Sequence, residues 1–154
     1  MAGEPTDDLP APRHRRPDGV TDEAVAAAGK LSEALEAVER ARGHLYAFHQ
    51  LTGHADLALD EVLTLLGACG ENELAHTLSQ ELVGRNVLEG RWTFQIVEEY
   101  DDGYYRTFRQ MEQRVRERLT AGRRHIYESE MKERRRTRGR PEHRAVPPAD
   151  PSGE

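Results

Sequence analysis

Three scarcities bound what this chain can be. Among its 154 residues Cys69 is the only cysteine, so no disulfide framework inside one chain exists. Lysine is almost absent: Lys30 and Lys132 stand against 20 arginines. Arginine presents a planar, bidentate guanidinium, although high-GC codon usage yields the same bias. Long apolar runs are missing, and nothing approaches the ~18 consecutive residues that a membrane span needs. The segment from Met1 to Val20 mixes Pro, Asp, Arg and Gly and does not read as a secretory leader. A cytoplasmic protein with no membrane role is the expectation.

What remains is strongly charged. Charged residues make up 32% and hydrophobic residues 36%, with a mean hydropathy of −0.82. The length suits one domain of ~100–150 residues and excludes a large multidomain enzyme. The net charge of −6 is unevenly spread. Residues 1–105 hold 8 bases and 20 acids, net −12, whereas residues 106–154 hold 14 bases and 8 acids, net +6. An acidic body therefore carries a basic end, which suits self-association or an acidic or polyanionic partner.

Prolines 5, 10, 12 and 17 predict a disordered tail over 1–20, and prolines 141, 147, 148 and 151 predict another over 138–154. The domain between them, 21–137, reads as all-α. Thr21 before Asp22 and Glu23 is a helix N-cap signal. Val25, Ala28, Leu31, Leu35, Val38, Leu45 and Phe48 then follow helical spacing, predicting a helix over 22–51 that Thr52-Gly53 ends. A second helix over 55–68 places Leu59, Val62, Leu63 and Leu66 inward, and a third covers 73–83 with Gly84 beyond its end. Residues 91–97 fit strand or helix. The stripe Trp92, Ile96, Tyr100, Tyr104, Phe108, Met111, Val115 and Leu119 favours one helix over 86–120, with a kink at Gly103. A short basic helix over 123–137 follows. The expected architecture is an antiparallel helical bundle of two long helices, two shorter ones and a basic C-terminal helix.

Gly84-Arg85-Asn86-Val87-Leu88-Glu89-Gly90-Arg91-Trp92-Thr93-Phe94-Gln95-Ile96-Val97-Glu98-Glu99-Tyr100, taken with Arg123-Arg124-His125-Ile126-Tyr127-Glu128-Ser129-Glu130-Met131-Lys132-Glu133, resembles an uncharacterised family of small all-helical proteins from high-GC bacteria. The resemblance spans about residues 22–140 and implies a helical fold without an assigned activity.

Several residue sets could carry chemistry. Glu73-Leu74-Ala75-His76 is a Glu-x-x-His, which puts a carboxylate and an imidazole on one helix face. Ferritin-like carboxylate bundles use two such pairs plus two more glutamates, and those ligands suit iron or manganese. Glu36 or Glu39 and Glu98 or Glu99 are the candidate extra carboxylates, with Glu73, His76, Glu36 and Glu99 as the preferred set. No second Glu-x-x-His exists, and the competing reading makes Glu73 a first-turn acid of a helix. His44, His49 and His54 recur every five residues and do not share a helix face. Glu98, Glu99, Asp101 and Asp102 could hold a cation or pair with Arg106 and Arg109. Arg134, Arg135 and Arg136 head a basic patch that could contact nucleic acid, but Glu128, Glu130 and Glu133 dilute it. No phosphate-binding glycine loop and no defensible nucleophile–base order is present, so a non-enzymatic role is favoured.

The leading expectation is a homodimer or protein-docking module. Trp92, Phe94 and Tyr104 would lie on its interface, with the arginines setting partner choice. A metal-binding bundle and a nucleic-acid-binding accessory protein are the alternatives.

Overall fold

The computed structural model describes residues 8–146. The fold is all-α. Among the described residues five α-helices follow one another: α1 (Asp22–Ala68), α2 (Asn72–Glu81), α3 (Thr93–Tyr100), α4 (Arg106–Thr120) and α5 (Ile126–Arg135). Short 3-10 turns at Pro12–His14 and Pro141–His143 lie in the segments expected to be tails. Residues 1–7 and 147–154 of those segments lie outside the described residues.

The start of α1 follows its sequence signal, since the Thr21 hydroxyl accepts the Ala24 amide at 3.2 Å. Its length does not. The helix continues through Thr52-Gly53 for 47 residues instead of ending there. One interior glycine costs only about 1 kcal/mol, and no proline removes a backbone donor nearby. The break comes at Gly70, whose φ of +86° places it in the left-handed region. There the Glu71 amide reaches the Leu66 carbonyl at 2.8 Å and the Gly70 amide that of Gly67 at 3.2 Å, a Schellman closure.

The single helix expected over 86–120 starts seven residues late: helical backbone runs unbroken from Thr93 to Thr120, with α3 passing through a π-helical turn into α4. Gly90, with φ +68°, closes a tight turn in which the Arg91 amide bonds the Leu88 carbonyl at 3.0 Å. Helix therefore begins only at Thr93, where the Gln95 side chain accepts the Trp92 amide at 2.9 Å. The kink expected at Gly103 appears as a π-helical turn over Asp101–Tyr105 between α3 and α4.

Two compact units emerge. A terminal unit combines the residues up to Leu35 with those from Arg109 onward, and a central unit comprises Glu36–Phe108.

In the terminal unit the buried apolar residues are Val25, Ala28 and Ile126. Gly29 has a packing role: a Cβ there would lie 3.3 Å from the Tyr127 Cβ, so the glycine permits close approach of α5. The Ser32 hydroxyl donates to Glu112 at 3.1 Å, and Arg116 pairs with the same carboxylate at 3.0 Å. Both members of that ion pair are nearly inaccessible. Arg116 also donates to the Gly122 carbonyl at 2.7 Å, holding the turn into α5.

The N-terminal segment is fastened to the same unit. Arg16 forks onto Glu130 with two 2.8 Å bonds and reaches Asp22 at 2.6 Å. Arg136 grips Asp8 through its carboxylate at 2.5 Å and its carbonyl at 2.6 Å. The amide of Ala145 donates to Asp8 at 2.9 Å. That bond, then Arg136, holds the Asp8 carboxyl below its ordinary range.

In the central unit α3 and its π-helical turn run antiparallel to the middle of α1, over residues 39–49. Glu39 meets Tyr105, Arg42 meets Asp101 and His49 meets Thr93, so one numbering rises as the other falls.

Candidate interaction surface

The inner face of the central part of α1 follows a strict alternation. Arg42, Leu45, His49, Thr52, Asp56 and Leu59 succeed one another by three and four residues, and each is half-buried. Polar members of this face are matched inside the unit. Arg42 forks onto Asp101 at 2.7 and 2.9 Å, with its guanidinium 5.0 Å from the Tyr46 ring centre and 5.1 Å from that of Tyr105. The His49 Nδ1 lies 2.7 Å from the Thr93 hydroxyl. Asp56 accepts the Gly84 amide at 2.8 Å, tying the end of α2 to α1. The Arg42 hydrogen bonds hold the Asp101 carboxyl below its ordinary range.

These contacts place two members of the acidic cluster. Asp101 pairs with Arg42 across the unit, and Glu99 pairs with Arg91 at 2.8 Å. A linear reading favours the sequence-local partners Arg106 and Arg109; it misses that the antiparallel return brings Arg42 alongside.

The metal candidates are not gathered. Glu73 and His76 lie exposed on α2, Glu36 is exposed on α1, and Glu99 is engaged with Arg91. Among the described residues no three His, Cys, Asp or Glu side chains converge as a metal site would require. On α2 the half-buried residues are Ala75, Leu78 and Ser79, and the Glu-x-x-His lies off that inner face.

The basic patch divides. Arg134 and Arg135 are exposed, but the Arg136 side chain is 1% accessible and committed to Asp8 and Glu133. It is a fastening inside the terminal unit and offers no guanidinium to a partner. Arg123 likewise donates to the Arg15 carbonyl at 2.7 Å.

The aromatic candidates are all exposed. Trp92 is 55% exposed and Tyr104 59%, and Phe94 is exposed with its ring 5.4 Å from that of Trp92. Trp92 borders a groove of about 570 Å³ whose walls include Leu59, Leu82 and Val87.

The larger surprise lies on α1. Phe48, placed in the inner stripe on sequence, and Val62, placed beside Leu59 and Leu63, are both exposed. Leu51 and Leu65 are 65% and 60% exposed. The apolar stripe is thus wider than one neighbour can cover, and its outer half stands open. Leu63 and Leu66 remain on the inner half.

Among the described residues no helix is long and apolar enough to cross a membrane. No family model, curated protein or solved structure matches the chain.

Proposed function

We propose that this chain acts by self-association, and that its central unit is completed by a second copy. One observation carries this reading. Among the described residues of that unit only two hydrophobic residues, Val38 and Val97, are buried. Against them Phe48, Leu51, Val62, Leu65, Trp92 and Phe94 are left in solvent. A small unit must bury most of its apolar surface to offset chain entropy, and contiguous apolar exposure of this kind marks an interface. Obligate dimers carry such surfaces because their interface is a domain core cut in two.

The reading is a non-enzymatic one, with the arginine-rich end outside the association surface. Folding linked to association makes stability depend on concentration. Thermal unfolding followed by circular dichroism over a roughly hundredfold concentration range should show a rising midpoint. A midpoint that stays fixed across that range would remove the proposal.

A further inference from the structure

The open stripe on α1 has a regularity that narrows what covers it. Phe48, Leu51, Ala55, Ala58, Val62 and Leu65 follow one another by three, four, three, four and three residues, and all six are exposed. This is an a/d heptad seam, the pattern that drives two helices to pair by knobs-into-holes packing. His44 and Cys69 extend it by one step at each end, and both are exposed. Each seam position precedes one of the inner face, so the two stripes are offset by one residue, or about 100° round the helix at ~3.6 residues per turn. A helix in a four-helix bundle has its two nearest neighbours at about that angle. The inner stripe has its neighbour within the chain; among the described residues the outer stripe is left exposed, with Ala55 on the groove that Trp92 borders.

The order of side-chain sizes identifies the occupant. Read from either end, the seam runs large, large, small, small, large, large, with Ala55 and Ala58 at its centre. A two-fold interface brings one patch against itself and requires self-complementarity. An antiparallel pairing centred between Ala55 and Ala58 supplies it. Phe48 then faces the partner's Leu65, Leu51 faces the partner's Val62, and Ala55 faces the partner's Ala58, where two alanines let the backbones approach.

The flanking polar residues agree. Antiparallel pairs bring g positions together, and here these set His54 beside the partner's Glu61, twice by symmetry. A parallel, in-register pair would set His54 and Glu61 beside the partner's Leu59 and the partner's Leu66, which offer neither one a polar group.

The geometry points to an antiparallel α1–α1 pairing of two copies through this seam as the association surface of the protein. It rests on the self-association proposed above and adds the surface, the direction and the register.

Cross-linking separates these claims. In a full-length C69A background, L51C and V62C variants are oxidised separately and after mixing in equal amounts, beside the solution mass of the unsubstituted protein. L57C, exposed on the same helix but off the seam, is the control for chance collision. The expected result is a covalent L51C–V62C pair as the dominant product of the mixture, with little linkage in either variant alone and none with L57C. Self-linkage of each variant alone would overturn the antiparallel register in favour of a parallel pair. A dimeric mass with no linkage in any sample would overturn the seam and leave self-association standing. A monomeric mass at all concentrations would overturn both.

Discussion

Truncating Leu51 to alanine isolates the outer seam of α1 from every other feature of the molecule. The side chain is 65% exposed, so the isolated chain has little to lose. Alanine is also the best helix former, and α1 should stay helical. In the pair the case differs. Leu→Ala removes three carbons, each contributing about 0.8 kcal/mol when buried. Scaled by the exposed fraction, the loss is about 1.5 kcal/mol per copy. A two-fold interface uses the residue twice, for about 3 kcal/mol in all, and the dissociation constant should rise roughly 100-fold at 1.4 kcal/mol per decade. Leu57→Ala is the matched control, the same residue on the same helix at 67% exposure but off the seam. Sedimentation equilibrium on both variants gives the answer. Equal weakening by the two substitutions, or none by L51A, would refute the reasoning.

Other consequences follow from single residues. Gly43 and Gly53 lie inside α1 with nothing within 4 Å of an added Cβ, so G43A and G53A should each raise stability by about 0.5–1 kcal/mol in denaturant unfolding. A helix interrupted at Gly53 would give no gain there. Glu112→Ala strands the Arg116 guanidinium, whose side chain is 14% exposed, and should cost about 3 kcal/mol, whereas the paired replacement E112L/R116M should be far milder. The Asp101 carboxyl is held low by Arg42, so its contribution is complete above the unfolded value of 3.8 and is lost as pH falls through the lower folded value. Thermal midpoints measured from pH 5 down to about pH 2 should therefore fall less steeply in Asp101→Asn than in the unsubstituted protein. Removing the Arg136 guanidinium by Arg136→Ala should free the segment around Asp8 and speed amide exchange at Ala145, with the oligomeric state unchanged.

Much of the fold can be read from the sequence because its signals are local. Thr21 with Asp22 and Glu23 fixes the start of α1, and the spacing Val25, Ala28, Val38 marks its buried face. The short basic helix and the irregularity at Gly103 are legible in the same way. The failures come from balances that local rules do not decide. Gly53 is a weak breaker that the flanking helix overrides, whereas Gly90 is decisive because it enters the left-handed region. Asp101 finds Arg42 rather than a neighbour in sequence because chain reversal brings it there.

The exposed apolar surface is legible in part. Trp92, Phe94 and Tyr104 are exposed, but in the sequence Phe48 and Val62 merge into one apolar face with Leu45 and Leu59. Two heptad stripes displaced by one residue blur into a single wide stripe in a linear reading. Its width is the available signal: a 3-4 alternation that repeats twice in adjacent registers asks for two neighbours.

The mass of the full chain in solution tests the central claim most directly. Sedimentation equilibrium across a broad concentration range should give a dimer of about 35 kDa, twice the 17.5 kDa chain, dissociating only on dilution. A mass of 17.5 kDa at every concentration would contradict it.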